Sequence, residues 1–224
     1  TCPGKDRTVL VYRGASDLLT ENNIPWQQIK KTRWLYLAPF SGALTNLTDD
    51  LIIFAKKNKI KTALNPGYNQ LTMPQKRLEK ILESVDILIL NQEEASLLTH
   101  IPYQKESEIF QKIDALCQGI TIMTKGDEGA AVSDGKFFYR ATPPPTKVVD
   151  KTGAGDAFGA GFVAGIIHRN NIVYAIQLGV ANSASCITKL GAKEGLLKSG
   201  QKWRKVKVEI EHCSQNNLCQ IKHK

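Results

Sequence analysis

Two hydrophobic rhythms alternate along this chain. Short aliphatic and β-branched runs predict strands near Val9 to Tyr12, Trp34 to Leu37, Thr62 to Leu64, Ile87 to Leu90 and Ile120 to Met123. Between them, apolar residues fall at helical spacing: Leu51, Phe54 and Ala55; Leu78, Ile81 and Leu82; Ile109, Ile113, Leu116 and Cys117. Strand and helix in repeated alternation predict a parallel sheet covered on both faces, an α/β fold. Ligands of such sheets bind beyond the carboxyl ends of the strands, where Asn91, Thr124 and Asp150 fall. Pro143-Pro144-Pro145 breaks the alternation before Val148 and Val149 lead into a glycine-rich stretch.

That stretch, Val149 to Phe162, places a flexible loop, a carboxylate and a helix start together. Gly153 and Gly155 reach backbone angles closed to other residues and let main-chain amides approach a ligand. Phe158, Phe162 and Ile166 continue at helical spacing, and Ala157, Gly161 and Gly165 form a second row of small residues suited to close packing. The unpaired amides and positive dipole end of such a helix favour an anion such as phosphate. Asp156 in the first turn reads simply as a good helix-start residue. Beside an anion cradle it also reads as a general base that takes the proton from an attacking hydroxyl.

The run Asp150-Lys151-Thr152-Gly153-Ala154-Gly155-Asp156-Ala157-Phe158 resembles the C-terminal signature of the PfkB, or ribokinase-like, carbohydrate and nucleoside kinases. Lys151 stands where that signature usually has Thr. The resemblance implies that Asp156 is the catalytic base and that the amides of Gly153, Ala154 and Gly155 form an anion hole for the transferred phosphate. Three further segments follow the family's order. Ala63-Leu64-Asn65-Pro66-Gly67 resembles its Asn-Pro turn, although an ordinary strand-ending turn has the same form. Asn91-x-x-Glu94 resembles the motif that helps hold Mg2+ and phosphate oxygens, while Asn91 with Glu94 also has the form of a capping box. Thr124-Lys125-Gly126 through Gly129 resembles the turn that lines the ATP site, with an unliganded hairpin as the plain alternative. Val180 to Ala192 resembles the helix and loop flanking adenine, with Val180 or Asn182 as the neighbour of the base. Carbonyls near Asp150, Thr152 and Gly191 resemble a monovalent-cation site, for K+.

The implied fold is a ribokinase-like three-layer α/β/α sandwich with a mainly parallel central sheet, lacking the N-terminal strands and most of the β lid. The implied cofactors are ATP and Mg2+, the implied acceptor a sugar or nucleoside, and the full-length form a homodimer. Residues 1–16 then read as a remnant of the lid region, 17–200 as the nucleotide-binding and catalytic core, and 201–224 as a basic polar tail. A fragment, or a protein without its substrate-binding half, is the expectation for so short an N-terminal part. Arg13 and Gly14 border the acceptor in this reading, or Arg13 is a plain strand-end charge. Ala38 stands where ribokinases carry a substrate-contacting Glu, which argues against ribose itself.

Composition modifies this picture only a little. The net charge of +9 invites a nucleic-acid partner, but the basic residues are scattered except near Lys202 to Lys207, so no such partner is expected. No apolar run approaches the ~20 residues of a membrane span, and no signal peptide opens the chain, so a cytoplasmic location is expected. Five cysteines without a regular framework suggest reduced thiols. His212, Cys213, Cys219 and His223 match no standard zinc spacing. Two rival functions remain: a nucleotide-binding module that does not catalyse transfer, and a basic nucleic-acid-binding protein.

Overall fold

The computed structural model describes residue 12 and residues 14–214. Its centre is a seven-stranded sheet in sequential order: β1 (Trp34–Leu37), β2 (Lys61–Leu64), β3 (Ile87–Asn91), β4 (Ile120–Thr124), β5 (Ala130–Ser133), β6 (Phe137–Ala141) and β7 (Val208–His212). Strands β1 to β4 are parallel, and β5 to β7 continue the sheet as antiparallel neighbours. Four of the five expected strands are therefore β1 to β4. Most of the fifth, from Val9, lies outside the described residues, as does Arg13.

Helices make the connections. Three short ones, α1 (Ala15–Leu18), α2 (Trp26–Ile29) and α4 (Tyr68–Leu71), accompany the longer α3 (Thr48–Lys57), α5 (Gln75–Leu82), α6 (Gln92–Thr99), α7 (Glu106–Leu116), α8 (Ala154–Arg169) and α9 (Ile172–Cys186). The period-two alternation of the strands sends neighbouring side chains to opposite faces. Leu88, Leu90, Met123 and Phe138 join Leu51, Leu82, Phe110 and Ile113 in one core beneath α3, α5, α6 and α7. Ile87, Ile89, Ile122 and Val132 join Phe158, Phe162, Ile176 and Val180 in a second core beneath α8 and α9. The small-residue row on α8 has a measurable consequence: a Cβ on Gly165 would stand 2.5 Å from the Cα of Ala175, and one on Gly161 2.9 Å from the carbonyl of Leu178. These two helices pack at backbone contact, which holds the start of α8 rigidly against the sheet.

The region after residue 200, expected as a basic polar tail, differs from that expectation. Gln177 donates to the Val206 carbonyl at 2.8 Å, Trp203 packs on Tyr174, and Val208–His212 completes the sheet against β6. The alternation Val208, Ile210, His212 is short and charge-rich, so composition concealed a strand whose stability comes from its neighbour. Cys117 and Cys186 are buried thiols outside any disulfide, whereas Cys213 is disulfide-bonded, a departure from the expectation of reduced thiols. No helix among the described residues is long and apolar enough to cross a membrane.

Candidate active site

Two helices start at the carboxyl edge of the sheet, and they start differently. At α6, Asn91 caps its own helix: its Oδ1 accepts from the Glu94 amide at 2.8 Å, while Glu94 Oε2 accepts from the Asn91 amide at 2.8 Å. This reciprocal box satisfies donors that a helix start otherwise leaves unpaired. At α8 the N-cap is Gly153, in the left-handed region at φ 79°, with no side-chain cap. A Cβ there would lie 2.7 Å from the Ala192 side chain, so both angle and space require glycine. The Ala154 amide is occupied by the Lys151 carbonyl at 3.2 Å. The amides of Gly153, Gly155 and Asp156 make no hydrogen bond to protein among the described residues. Around a Cβ on Gly155 nothing lies within 4 Å, so the loop is open where those amides emerge.

The loop is held from below. Asp150 Oδ1 accepts from the Thr152 amide at 2.9 Å and its hydroxyl at 2.7 Å, and Asp150 Oδ2 accepts from the Gly191 amide at 3.0 Å. The Cys186 thiol approaches the Ala192 carbonyl at 3.3 Å; burial, then Asp150 and Asp156, push this thiol up. Asp150, Thr152 and Gly191, named above as a cation site, are thus brought together in one hydrogen-bonded turn.

Beside the loop opens a cleft of about 730 Å³, lined by Thr124, Gly126, Gly129, Ala154, Gly155 and Val180 among others. Asn91 stands opposite Thr124 in the β3–β4 register, outside that lining. Asn182 also stays out of it: its amide nitrogen donates to the Ala157 carbonyl at 2.8 Å and its oxygen accepts from the Leu197 amide at 2.9 Å. Lys125 turns away, its ammonium 2.8 Å from Glu106 Oε2. Burial pushes the Glu106 carboxyl up, but Lys125 and Arg140 outweigh it and hold the group below the usual range. Sequence reasoning missed Pro143 to Thr146, Phe158, Ser183, Ala184 and Ile187 as cleft walls. The three consecutive prolines were the one available signal, a stiff segment beside a site.

Asp156 is exposed and is not among the cleft-lining residues. Its charge, with that of Glu94, reaches the hydroxyl of Tyr36, whose pKa is raised by burial first and then by these carboxylates. Glu94 is itself pushed up, by burial first, then by Glu93 and Asp156, against the lowering effect of the Asn91 amide. Asp156 and Glu94 thus form an acidic corner outside the lining of the cleft beside the uncapped loop. No cluster of three or more metal-binding side chains occurs among the described residues. Gly14, the described member of the expected acceptor pair, stands before α1, where a Cβ would meet the Tyr12 ring at 3.4 Å.

A three-layer α/β sandwich with an open, uncapped helix start at its strand ends is the class of protein that fold and loop define. The match of residues 2–199 to the pfkB family carbohydrate kinase model then places this chain in the PfkB family. An uncharacterized sugar kinase of Archaeoglobus fulgidus is 31% identical over 198 residues, covering 87% of this chain and 76% of the relative. The ribokinase of Lactococcus lactis is 29% identical, covering 92% of this chain and 65% of the relative. Among solved structures, the ribokinase of Thermotoga maritima superposes with a TM-score of 0.69 at 22% identity, covering 84% of this chain and 61% of that one. Arabidopsis thaliana ribokinase complexed with ribose and ATP gives 0.68 at 22% identity, covering 80% and 57%. These structural likenesses show the ribokinase-like fold, and the chain spans less than two thirds of the length of both solved proteins.

Proposed function

We propose that this chain carries the nucleotide side and the base of an ATP-dependent kinase whose acceptor is the hydroxyl of a sugar or nucleoside. The observation that carries this reading is the uncapped start of α8, with free amides at Gly153, Gly155 and Asp156 beside the cleft and the acidic corner. ATP lies in the cleft with its adenine toward Val180 and Ser183, and its terminal phosphate meets the amides of the loop. The acceptor hydroxyl approaches from the opposite side, where Asp156 takes its proton as the phosphoryl group arrives. Relatives named ribokinase and cytidine kinase support an alcohol acceptor of this kind.

Donor chemistry at the corner fits Mg2+ only as an ion carried mainly by phosphate oxygens. Glu94 commits Oε2 to the Asn91 amide, Asn91 commits Oδ1 to the Glu94 amide, and one Glu94 oxygen remains to meet the ion's water shell. Such an ion neutralises charge on the phosphates. Asp150, Thr152 and Gly191, joined in one hydrogen-bonded turn, form the seat proposed for K+. The amides of Gly126 and Gly129 border the nucleotide, while Lys125 and Asn182 act by holding the walls. Nucleotide binding without transfer by this chain alone is the second reading, favoured by the 76% and 65% of two relatives' length that it spans.

The test is Asp156→Asn in the protein, with ADP release assayed over a panel of pentoses, hexoses and nucleosides, and ATP binding measured in parallel. The expected result is retained ATP affinity with transfer reduced by ~10²–10⁴. Equal transfer by both proteins overturns the assignment.

A further inference from the structure

The cleft beside the α8 loop is walled by prolines, glycines and apolar side chains, and among its lining residues only Asp127 and Lys151 carry charge. Lys151 belongs to the loop itself. It stands two residues before the left-handed Gly153, and its carbonyl accepts from the Ala154 amide at 3.2 Å. Its backbone is thereby fixed, and its exposed side chain borders the cleft. The polar groups nearby are already spent: Asp150 accepts from the Thr152 amide and hydroxyl and from the Gly191 amide. Lys125, which flanks the cleft-lining Thr124 and Gly126, is held by Glu106 at 2.8 Å and Glu128 at 3.5 Å. The Lys151 ammonium makes no ion pair or hydrogen bond among the described residues.

Resting on the kinase reading, we propose that Lys151 is a phosphate-contacting residue, whose ammonium binds the phosphates that stay on the nucleoside when the terminal one leaves. The amides of Gly153 and Gly155 and the positive end of α8 orient an oxyanion, but they bring only partial charge. A nucleotide tail carries several full negative charges, and a lysine meets them with one full positive charge on a flexible stem. Placement decides which phosphates. Lys151 lines the cleft together with Ala154 and Gly155, whereas Asp156, the proposed base, stands outside that lining. In the transfer step the bond from the terminal phosphorus to its bridging oxygen breaks, and the electron pair stays on that oxygen. The acceptor oxygen bonds to the phosphorus as Asp156 takes its proton. Lys151 keeps its own proton and neutralises charge gathering on the departing diphosphate. Because Lys151 replaces the neutral Thr usual in the signature, this charge is added to the shared loop rather than inherited with it.

The experiment measures ADP binding to the parent, Lys151→Met and Lys151→Arg by calorimetry at low and high salt, with Mg2+ present and ligand-free Tm recorded alongside. Lys151→Met keeps the stem and removes the charge. It is expected to weaken ADP about tenfold at low salt, with the gap narrowing at high salt. Lys151→Arg is expected to bind ADP as the parent does, and the Tm of both variants to match the parent's, since the side chain is exposed. In 15N spectra of the lysine ammonium groups, the signal missing from Lys151→Met shifts in the parent when ADP is added. Parent-like ADP affinity in Lys151→Met, or a loss that Lys151→Arg shares and salt does not narrow, overturns the proposal. A parent that binds ADP but transfers phosphate to no acceptor overturns the kinase reading instead, and the ADP comparison still decides Lys151. A parent that binds neither ADP nor ATP overturns the nucleotide cleft and the role of Lys151 together.

Discussion

The starts of α6 and α8 stand at the same edge of one sheet, yet the first is closed by its own side chains and the second is open. Asn91 and Glu94 spend their polar atoms on each other's amides, whereas Gly153 offers nothing and cannot be replaced without strain. A capped helix start is a structural device, and an uncapped one whose amides face open space is a place for an anion. The contrast assigns different work to motifs that look equally polar in sequence. In the proposed function the α8 loop would touch the transferred group, and the α6 box would present one carboxylate toward the metal.

Four substitutions sharpen that contrast, beginning with the largest effect. Asp156→Asn is expected to remove ~10²–10⁴ of transfer rate while leaving the fold intact, since the side chain is exposed. Gly153→Ala is expected to cost about 2–4 kcal/mol in denaturant unfolding, from the left-handed φ of 79° together with the clash on Ala192. Asn91→Ala should cost only about 1 kcal/mol, the usual loss of a cap, and weaken Mg2+ dependence without abolishing ATP binding. The smallest change is in Glu94→Gln, which keeps an acceptor for the Asn91 amide.

The sign of that last effect follows from burial. The folded-state pKa of Glu94 is raised above its ordinary value of 4.5, so its contribution to stability is full below pH 4.5 and is lost as pH rises through the folded value. Glu94→Gln therefore raises Tm modestly at pH 7 to 8, and the gain disappears below pH 4.5. A loss of Tm at neutral pH would mean that the charge itself stabilises the corner.

Much of this arrangement was legible in the residues. The four parallel strands and α3, α5, α7 and α8 follow from aliphatic runs and helical spacing, because both faces of the sheet are buried and the burial leaves a periodic trace. The uncapped loop was legible because only glycine tolerates Gly153's conformation. Strand β7 was not, since an edge strand with Glu209 and Glu211 carries no apolar alternation strong enough to be seen. Lys125 read in sequence as part of the ATP-lining turn, and its pairing with Glu106 across 19 positions belongs to tertiary structure. Asn182 and Val180 could not be told apart until the helix direction set one toward the cleft and the other toward Ala157 and Leu197. Tyr36 lies too far along the chain from Asp156 and Glu94 for any local pattern to join them.

The most direct measurement is amide NMR of the 15N-labelled protein titrated with a non-hydrolysable ATP analogue and Mg2+. The account predicts large, saturable shifts at Gly153, Gly155 and Asp156, with the already bonded amides of Asn91 and Glu94 moving little. Shifts confined to the start of α6, with the α8 loop silent at saturation, would contradict it.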